Sequence, residues 1–186
     1  MLNNISEKFY KWANGWVVLI LVALDMFFAG FVMPLIGGLM QDGTGQIQPL
    51  DLMMFATPDK TFAMIERYGE SGRAFYRNVE LTADIAYPII YLFAFGLLIS
   101  WLFKRGTAPN SNLRKWNVAP VGAFVFDLLE NGTIVTLLSI FPSQPMILGW
   151  LLFIFTAVKW LFAGVSILLI LLGLVLAIKN KFKVQE

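Results

Sequence analysis

Four long apolar stretches constrain the fold of this chain more than any other feature of its sequence. They cover residues 16–40, 81–103, 118–141 and a span within 146–178. Each holds at least the roughly 20 residues that an α-helix needs to cross a bilayer. The sequence therefore predicts an all-α, polytopic membrane protein: a four-helix transmembrane bundle that forms a single transmembrane domain over residues 1–186.

Missing residue types exclude many kinds of chemistry. The chain has no cysteine and no histidine, which excludes thiolate and Ser-His nucleophiles, iron–sulfur clusters, ordinary haem ligation and the common zinc sites. Carboxylates remain as ligands for Mg²⁺ or Ca²⁺, but no spacing fixes a ligand geometry. The formal net charge of +2 is too small for a nucleic-acid-binding surface. We therefore expect no metal, no cofactor and no nucleic-acid partner.

The positions of lysine and arginine predict the orientation of the chain. Basic residues precede the first span, fill the connection around residues 104–115 and follow the last span. Short cytoplasmic segments carry such an excess of basic residues. We therefore expect both termini in the cytoplasm and the loop 41–79 on the outer side of the membrane.

The outer loop, residues 41–79, is expected to contain a helical lid. Thr57-Pro58-Asp59 is typical of a helix start, because it combines a capping hydroxyl, proline in the first turn and an acid near the positive end of the helix dipole. The pattern predicts a helix over 58–68 that lies against the bilayer or over the bundle mouth. Gly69 is expected to end it, and Ser71 to cap a second helix that continues into the second span.

Five ionisable residues lie inside the predicted spans: Asp25, Asp84, Asp127, Glu130 and Lys159. A charged side chain that faces lipid at mid-depth costs about 2.5–3.5 kcal/mol, so all five are expected to face the bundle interior. Lys159 is then expected to pair with Asp127 or Glu130. Four carboxylates around one lysine cannot all stay ionised at low dielectric constant, so at least one is expected to hold a proton at neutral pH.

Two uncharged polar groups are expected beside these charged side chains: the side-chain amide of Asn131 and the backbone carbonyl of Asp84. Asp127, Glu130 and Asn131 are spaced i, i+3 and i+4, so they share one face of the third span. Pro88 has no N–H to bond the carbonyl of Asp84 four residues earlier. The second span is therefore expected to carry an unsatisfied acceptor beside the Asp84 carboxylate.

A polar stripe is expected to lead from the outer loop into the second span. It consists of Arg73, Arg77, Glu80 and Asp84. Tyr76 and Tyr87 are expected to donate hydrogen bonds close to it. Because the stripe begins at the outer mouth, we expect water to hydrate Glu80 and Asp84 there.

Three functions fit this arrangement. The leading hypothesis is binding or modification of a membrane-soluble amphiphile, a lipid or hydrophobic small molecule, in an acidic cavity between the spans. One alternative is an interaction subunit or assembly factor, with a membrane-protein partner or a second copy of the chain and charges that only join helices. A third is a proton or cation conduit. Whether the protein is an enzyme stays open.

The candidate site residues fall into two groups. The groups proposed for acid–base chemistry or cation binding are Glu80, Asp84, Asp127, Glu130 and Lys159. The further candidate ligand contacts are Asp25, Arg73, Tyr76, Tyr87, Asn131 and Trp160. A purely structural polar core would use the same residues as interhelical hydrogen bonds and ion pairs.

Several motifs resemble those of a family of bacterial four-span membrane proteins. They are Thr57-Pro58-Asp59, Tyr68-Gly69-x-x-Gly72-Arg73-x-x-Tyr76, Asp127-Leu128-Leu129-Glu130-Asn131 and Lys159-Trp160. The resemblance covers most of the chain and brings no activity with it. It implies a bacterial inner membrane as the location.

A shorter pattern resembles the superfamily of the emopamil-binding protein and the sigma-2 receptor (EXPERA). Glu80-Leu81-x-x-Asp84 with Pro88 on the second span, together with Asp25 on the first, carries this resemblance. It implies a sterol-like or cationic amphiphile enclosed by four or five helices with acidic residues. Some members isomerise a sterol double bond, but the histidine that the isomerase uses is missing here.

Overall fold

The computed structural model describes residues 2–42 and 45–183 of the chain. Its α-helices are α1 (Leu2–Trp12), α2 (Gly15–Phe27), α3 (Met33–Gly38), α4 (Pro58–Arg67), α5 (Gly69–Glu80), α6 (Ala83–Gly106), α7 (Ala119–Ser139) and α8 (Met146–Lys183). Short 3₁₀ turns cover Leu50–Leu52 and Asn112–Val118, and two-residue strands β1 (Gln41–Asp42) and β2 (Gly45–Gln46) pair antiparallel.

Four helical segments are long and apolar enough to cross a membrane. They are Gly15–Gly38, Gly69–Gly106, Asn112–Ser139 and Met146–Phe182. Their positions agree with the four predicted spans, although α8 continues past the predicted end at 178 to Lys183. The chain is therefore a multi-pass integral membrane protein with an all-α fold, and the predicted bundle is confirmed.

The first span contains one π-helical turn, at Phe28–Val32. Pro34, in the first turn of α3, has no N–H for the carbonyl of Gly30. The backbone shifts register instead, and the N–H of Met33 bonds the carbonyl of Phe28 five residues earlier. The span is therefore continuous but not regular, a detail that its apolar pattern does not reveal.

The outer helices follow the sequence prediction only in part. Helix α4 begins at Pro58 as predicted, after Thr57 in an extended conformation, although the Thr57 side chain makes no capping hydrogen bond. Gly69 ends α4 with a φ of 63°, a value that glycine adopts without strain. The expectation that Ser71 caps the next helix is wrong, because α5 already begins at Gly69. The positive φ lets one helix follow another directly.

The described residues form two compact units. The acidic unit consists of Met26–Pro88 and Val125–Lys159, and the basic unit consists of the chain up to Asp25, Ile89–Phe124 and the chain from Trp160 onward. The names follow the charged residues that dominate each unit. The boundaries between the two units fall inside α2, α6, α7 and α8.

The acidic unit has an apolar core that joins its outer helices to α7 and α8. Phe62 and Ile65 of α4 belong to one buried cluster with Leu137 of α7 and Leu152 of α8. A Cβ atom at Gly149 would lie 2.6 Å from the Cβ atom of Pro58, so α4 approaches α8 closely. Helix α4 therefore packs over the ends of α7 and α8, which confirms the predicted helical lid.

The basic unit contains α1, a helix that the sequence analysis did not predict. A buried chain of hydrogen bonds fixes it: Ser6 Oγ donates to Asn117 Oδ1 at 2.7 Å, and Asn117 Nδ2 donates to Ser100 Oγ at 2.8 Å. Phe9 packs onto Gly96, where any Cβ atom would lie 2.5 Å from its ring. Helix α1 is therefore an integral part of the unit, held against α6 and the turn before α7.

Candidate functional site

The acidic unit gathers five carboxylates around one lysine. We call this group the acid cluster, and its members are Asp51, Glu80, Asp84, Asp127, Glu130 and Lys159. They come from the 3₁₀ turn before α4 and from helices α5, α6, α7 and α8. If every member were ionised, four negative charges would be left without a compensating base inside the cluster.

Lys159 forms the ion pair that the sequence predicts. Its ammonium group contacts Glu130 Oε2 directly and lies 3.8 Å from Asp127 Oδ1. The hydroxyl of Thr156 donates to the other Glu130 oxygen, Oε1, at 2.5 Å. Glu130 and Lys159 are buried, with 0% and 8% of their surface exposed. The one base of the cluster is therefore already engaged by two acids.

Asn131 donates a hydrogen bond to the carbonyl of α6 that Pro88 leaves without a helical donor. Its Nδ2 donates to the carbonyl oxygen of Asp84 at 2.5 Å. This carbonyl lacks its usual helical donor because residue 88 is proline. The prediction that Pro88 frees the carbonyl of Asp84 is thus confirmed, and the donor that satisfies it comes from the same face of α7 as Asp127 and Glu130.

Asp51 is a member of the cluster that sequence reasoning missed. The hydroxyl of Tyr76 donates to Asp51 Oδ1 at 2.8 Å and accepts the backbone N–H of Leu50 at 3.0 Å. The hydroxyl of Tyr68 donates to the carbonyl of Gln48 at 2.8 Å. Two tyrosines therefore hold residues 48–51, which we call the outer segment because they belong to the loop predicted to lie outside. The available signal was an acid between Leu50 and Leu52 in the apolar part of this loop.

The pKa of Tyr68 reflects the negative charge around Asp51 and Glu80. Burial raises the pKa of the Tyr68 hydroxyl far above its usual range, and the negative charges of Asp51 and Glu80 raise it further. Arg67 opposes this shift with a smaller effect. The part of the acid cluster near Asp51 therefore favours neutral or positively charged groups over additional anions.

Glu80 is the least satisfied member of the cluster. Only 1% of its surface is exposed, and within the described part of the chain neither carboxylate oxygen receives a hydrogen bond. The hydroxyl of Tyr76 lies beside it, but the single proton of that hydroxyl goes to Asp51. The expectation that water hydrates Glu80 at an open mouth is wrong, because Glu80 is almost completely buried beside Tyr76, Asp51 and Asp84.

Other candidate residues have different surroundings. Arg73 lies over the Phe141 ring, 3.8 Å from its centroid, and donates to the carbonyl of Ile65, so it does not continue the polar stripe. Tyr87 stacks on Phe28 with ring centroids 6.2 Å apart.

Two candidates belong to the basic unit. They are Asp25 and Trp160. Asp25 is 8% exposed, and its Oδ1 receives no hydrogen bond from the residues that the structure describes. Trp160, a candidate ligand contact, is 37% exposed.

The acid cluster does not have the form of a metal centre. Within residues 2–42 and 45–183, no group of three or more acidic side chains has the arrangement of a metal site. Mg²⁺ and Ca²⁺ require several oxygen ligands at once. A proton or an ammonium group needs only one or two carboxylate oxygens, and the cluster offers these at Glu80.

Comparisons with known proteins give no match. No protein-family model matches the chain, and no significant match is found among curated proteins or solved structures. The resemblances to the bacterial four-span family and to the EXPERA superfamily therefore stay predictions.

Proposed function

We propose that the protein binds the cationic headgroup of a membrane-soluble amphiphile at its acid cluster. The observation that carries the proposal is Glu80, a buried carboxylate for which the described part of the chain provides no donor. A buried carboxylate without a hydrogen-bond donor or a counter-charge is strongly unfavourable. An ammonium headgroup supplies both, with three N–H donors and one positive charge.

The distribution of charge among the members of the acid cluster also supports a headgroup site at Glu80. Glu130 and Asp127 share Lys159, so their charges are balanced inside the protein. Glu80 and Asp84 are adjacent on neighbouring helical turns, and Asp51 lies close to both. The excess negative charge is therefore concentrated between α5, α6 and the outer segment, where a headgroup would bind.

We also propose that the loop 41–79, which carries Asp51, lies on the outer side of a bacterial inner membrane. The basic unit contains the lysines before α2 and at the end of α8, and the second connection adds four basic residues between Lys104 and Lys115. Such residues favour the cytoplasm, which leaves the loop 41–79 on the outer side. An amphiphile would then reach the cluster from the outer leaflet.

Binding of dodecylamine to the purified protein in a nonionic detergent tests the proposal, with dodecanol as the uncharged probe of equal chain length. Native mass spectrometry counts the bound molecules. We expect the amine to bind and the alcohol not to. Glu80→Gln removes the charge but keeps the shape, so it should weaken amine binding by about 10- to 150-fold, which corresponds to one charged hydrogen bond of about 1.5–3 kcal/mol.

Glu70→Gln is the matched control, because Glu70 is on the same helix but exposed. It should bind dodecylamine as the wild type does. Glu80→Gln combined with Asp84→Asn should abolish binding while the protein stays folded. Full amine binding by the folded double variant would contradict the proposal, and so would unfolding of that variant under conditions where the wild type is stable. Either result would favour the interaction-subunit hypothesis.

A further inference from the structure

Tyr76 lies between two carboxylates that differ in their access to water. Its hydroxyl donates to Asp51 Oδ1 at 2.8 Å, and Glu80 lies next to it on the following turn of α5. Asp51 is partly exposed, whereas Glu80 is almost completely buried. The Tyr76 hydroxyl therefore lies between Asp51, which water can reach, and Glu80, which the described residues bury.

Negatively charged groups surround the Glu80 carboxyl group in the described part of the chain. Asp84 on α6, Asp51 on the outer segment and Glu130 on α7 all act on it with negative charge. Tyr68 at the end of α4 and Tyr76 on its own helix add no positive charge, and Lys159 on α8 is engaged by Glu130. A proton is the smallest group that satisfies such a carboxyl.

We propose that Asp51, Tyr76 and Glu80 form a proton path between the outer surface and the buried acid cluster. The Glu80 carboxyl group transfers its proton to the Tyr76 oxygen, while the Tyr76 hydroxyl proton passes to the Asp51 carboxylate. The O–H bond on Glu80 breaks and one forms on Asp51, whereas Tyr76 exchanges one proton for another. Asp51 then releases the proton to water, and the reverse sequence loads Glu80.

This path uses the acid cluster of the proposed function but requires no amphiphile. It also gives the outer segment a role beyond covering the cluster, because that segment supplies the group that exchanges protons with water. The Tyr76 oxygen accepts the backbone N–H of Leu50 at 3.0 Å and that of Asp51 at 3.5 Å. The second contact is at the limit of hydrogen-bond distance, so a proton donor at Glu80 competes only with this weaker bond. The path and the amine site can therefore fail independently.

Infrared spectroscopy of the unliganded protein tests the path through hydrogen–deuterium exchange. The C=O stretching band of a protonated carboxyl group shifts in heavy water, and its rate of shift reports access to solvent protons. We expect wild-type protein to show such a band and Glu80→Gln to lack it. Tyr76→Phe should slow the exchange of this band by about a hundredfold, the lower end of what a positioned proton-transferring group contributes.

Tyr68→Phe is the matched control. It removes the other hydroxyl that holds the outer segment, the donor to Gln48, but this hydroxyl has no carboxylate partner in the path. Exchange in Tyr68→Phe should equal exchange in the wild type. Equal slowing in both phenylalanine variants would show that the hydroxyls only fix the segment, and it would overturn the path.

Two other results would also overturn it: a carboxyl band that persists unchanged in Glu80→Gln, or exchange at the wild-type rate in Tyr76→Phe. Should Tyr76→Phe fail to fold, Asp51→Asn tests the same path from its outer end. Asparagine still accepts the Tyr76 hydrogen bond but takes up no proton. Slow exchange in Asp51→Asn supports the path, and exchange at the wild-type rate refutes it.

Discussion

Replacing Lys159 with methionine should remove the charge that balances the acid cluster. The Lys159 side chain is buried, contacts Glu130 and lies 3.8 Å from Asp127 Oδ1. Methionine fills a similar volume, so the change chiefly removes the charge. Among the described residues, Glu130 then keeps the hydrogen bond from Thr156 alone. Removing one member of a buried ion pair costs about 3–5 kcal/mol, and we expect the free energy of unfolding to fall by this amount.

Reversible unfolding in mixed micelles of rising sodium dodecyl sulfate content, followed by circular dichroism, measures this loss. Lys60→Met is the control, because Lys60 is exposed on α4, and it should change the unfolding free energy by less than about 0.5 kcal/mol. Adding Glu130→Gln to Lys159→Met should recover most of the loss, since both charges of the pair are then gone.

The reasoning about Lys159 would be refuted by either of two results. One is a Lys159→Met variant whose unfolding free energy lies within about 1 kcal/mol of the wild-type value. The other is a double variant that is no more stable than Lys159→Met alone, which would show that Glu130 is not the partner.

Three further predictions follow from single contacts. Asn131→Leu should lower the unfolding free energy by about 1–3 kcal/mol, because the Asp84 carbonyl loses its hydrogen-bond donor. The loss should be clearly smaller in a Pro88→Ala background, where the backbone N–H of residue 88 can bond that carbonyl; equal losses in both backgrounds would contradict this. Burial raises the pKa of the Tyr10 hydroxyl to about 12 from its usual 10. The contribution of this hydroxyl to the unfolding free energy is therefore fully present below about pH 10 and is lost as the pH rises to about 12. Tyr10→Phe should flatten this part of the plot of stability against pH, and an unchanged plot would contradict the prediction. In this cysteine-free chain, Ser143→Cys should react with an impermeant thiol reagent added to intact cells and Asn112→Cys should not; the reverse pattern would overturn the orientation.

Local sequence rules predicted much of the fold and of the paired part of the site. The spans follow from apolar length, and the start of α4 follows from Thr57-Pro58-Asp59. Helical spacing placed Glu130 and Asn131 on one face of α7, and the missing N–H of Pro88 identified the carbonyl that Asn131 binds. Each of these features depends on residues within a few positions of one another.

The features that the sequence did not predict depend on distant contacts. Asp51 enters the cluster through Tyr76, 25 residues away, and no periodic pattern marks a 3₁₀ turn in a loop. Helix α1 is fixed by Asn117, 111 residues from its partner Ser6. Glu80 is buried beside Asp51, which is 29 residues earlier in the chain, and local spacing cannot reveal such a neighbour.

A density map of the purified protein with dodecylamine bound tests the central claim most directly. The account predicts density for the amine nitrogen within about 3 Å of a Glu80 carboxylate oxygen, with Lys159 still paired to Glu130. The alkyl chain should extend from the acidic unit toward the bilayer. A map in which a basic side chain of the protein contacts Glu80, or in which the amine binds away from Glu80 and Asp84, would contradict the account.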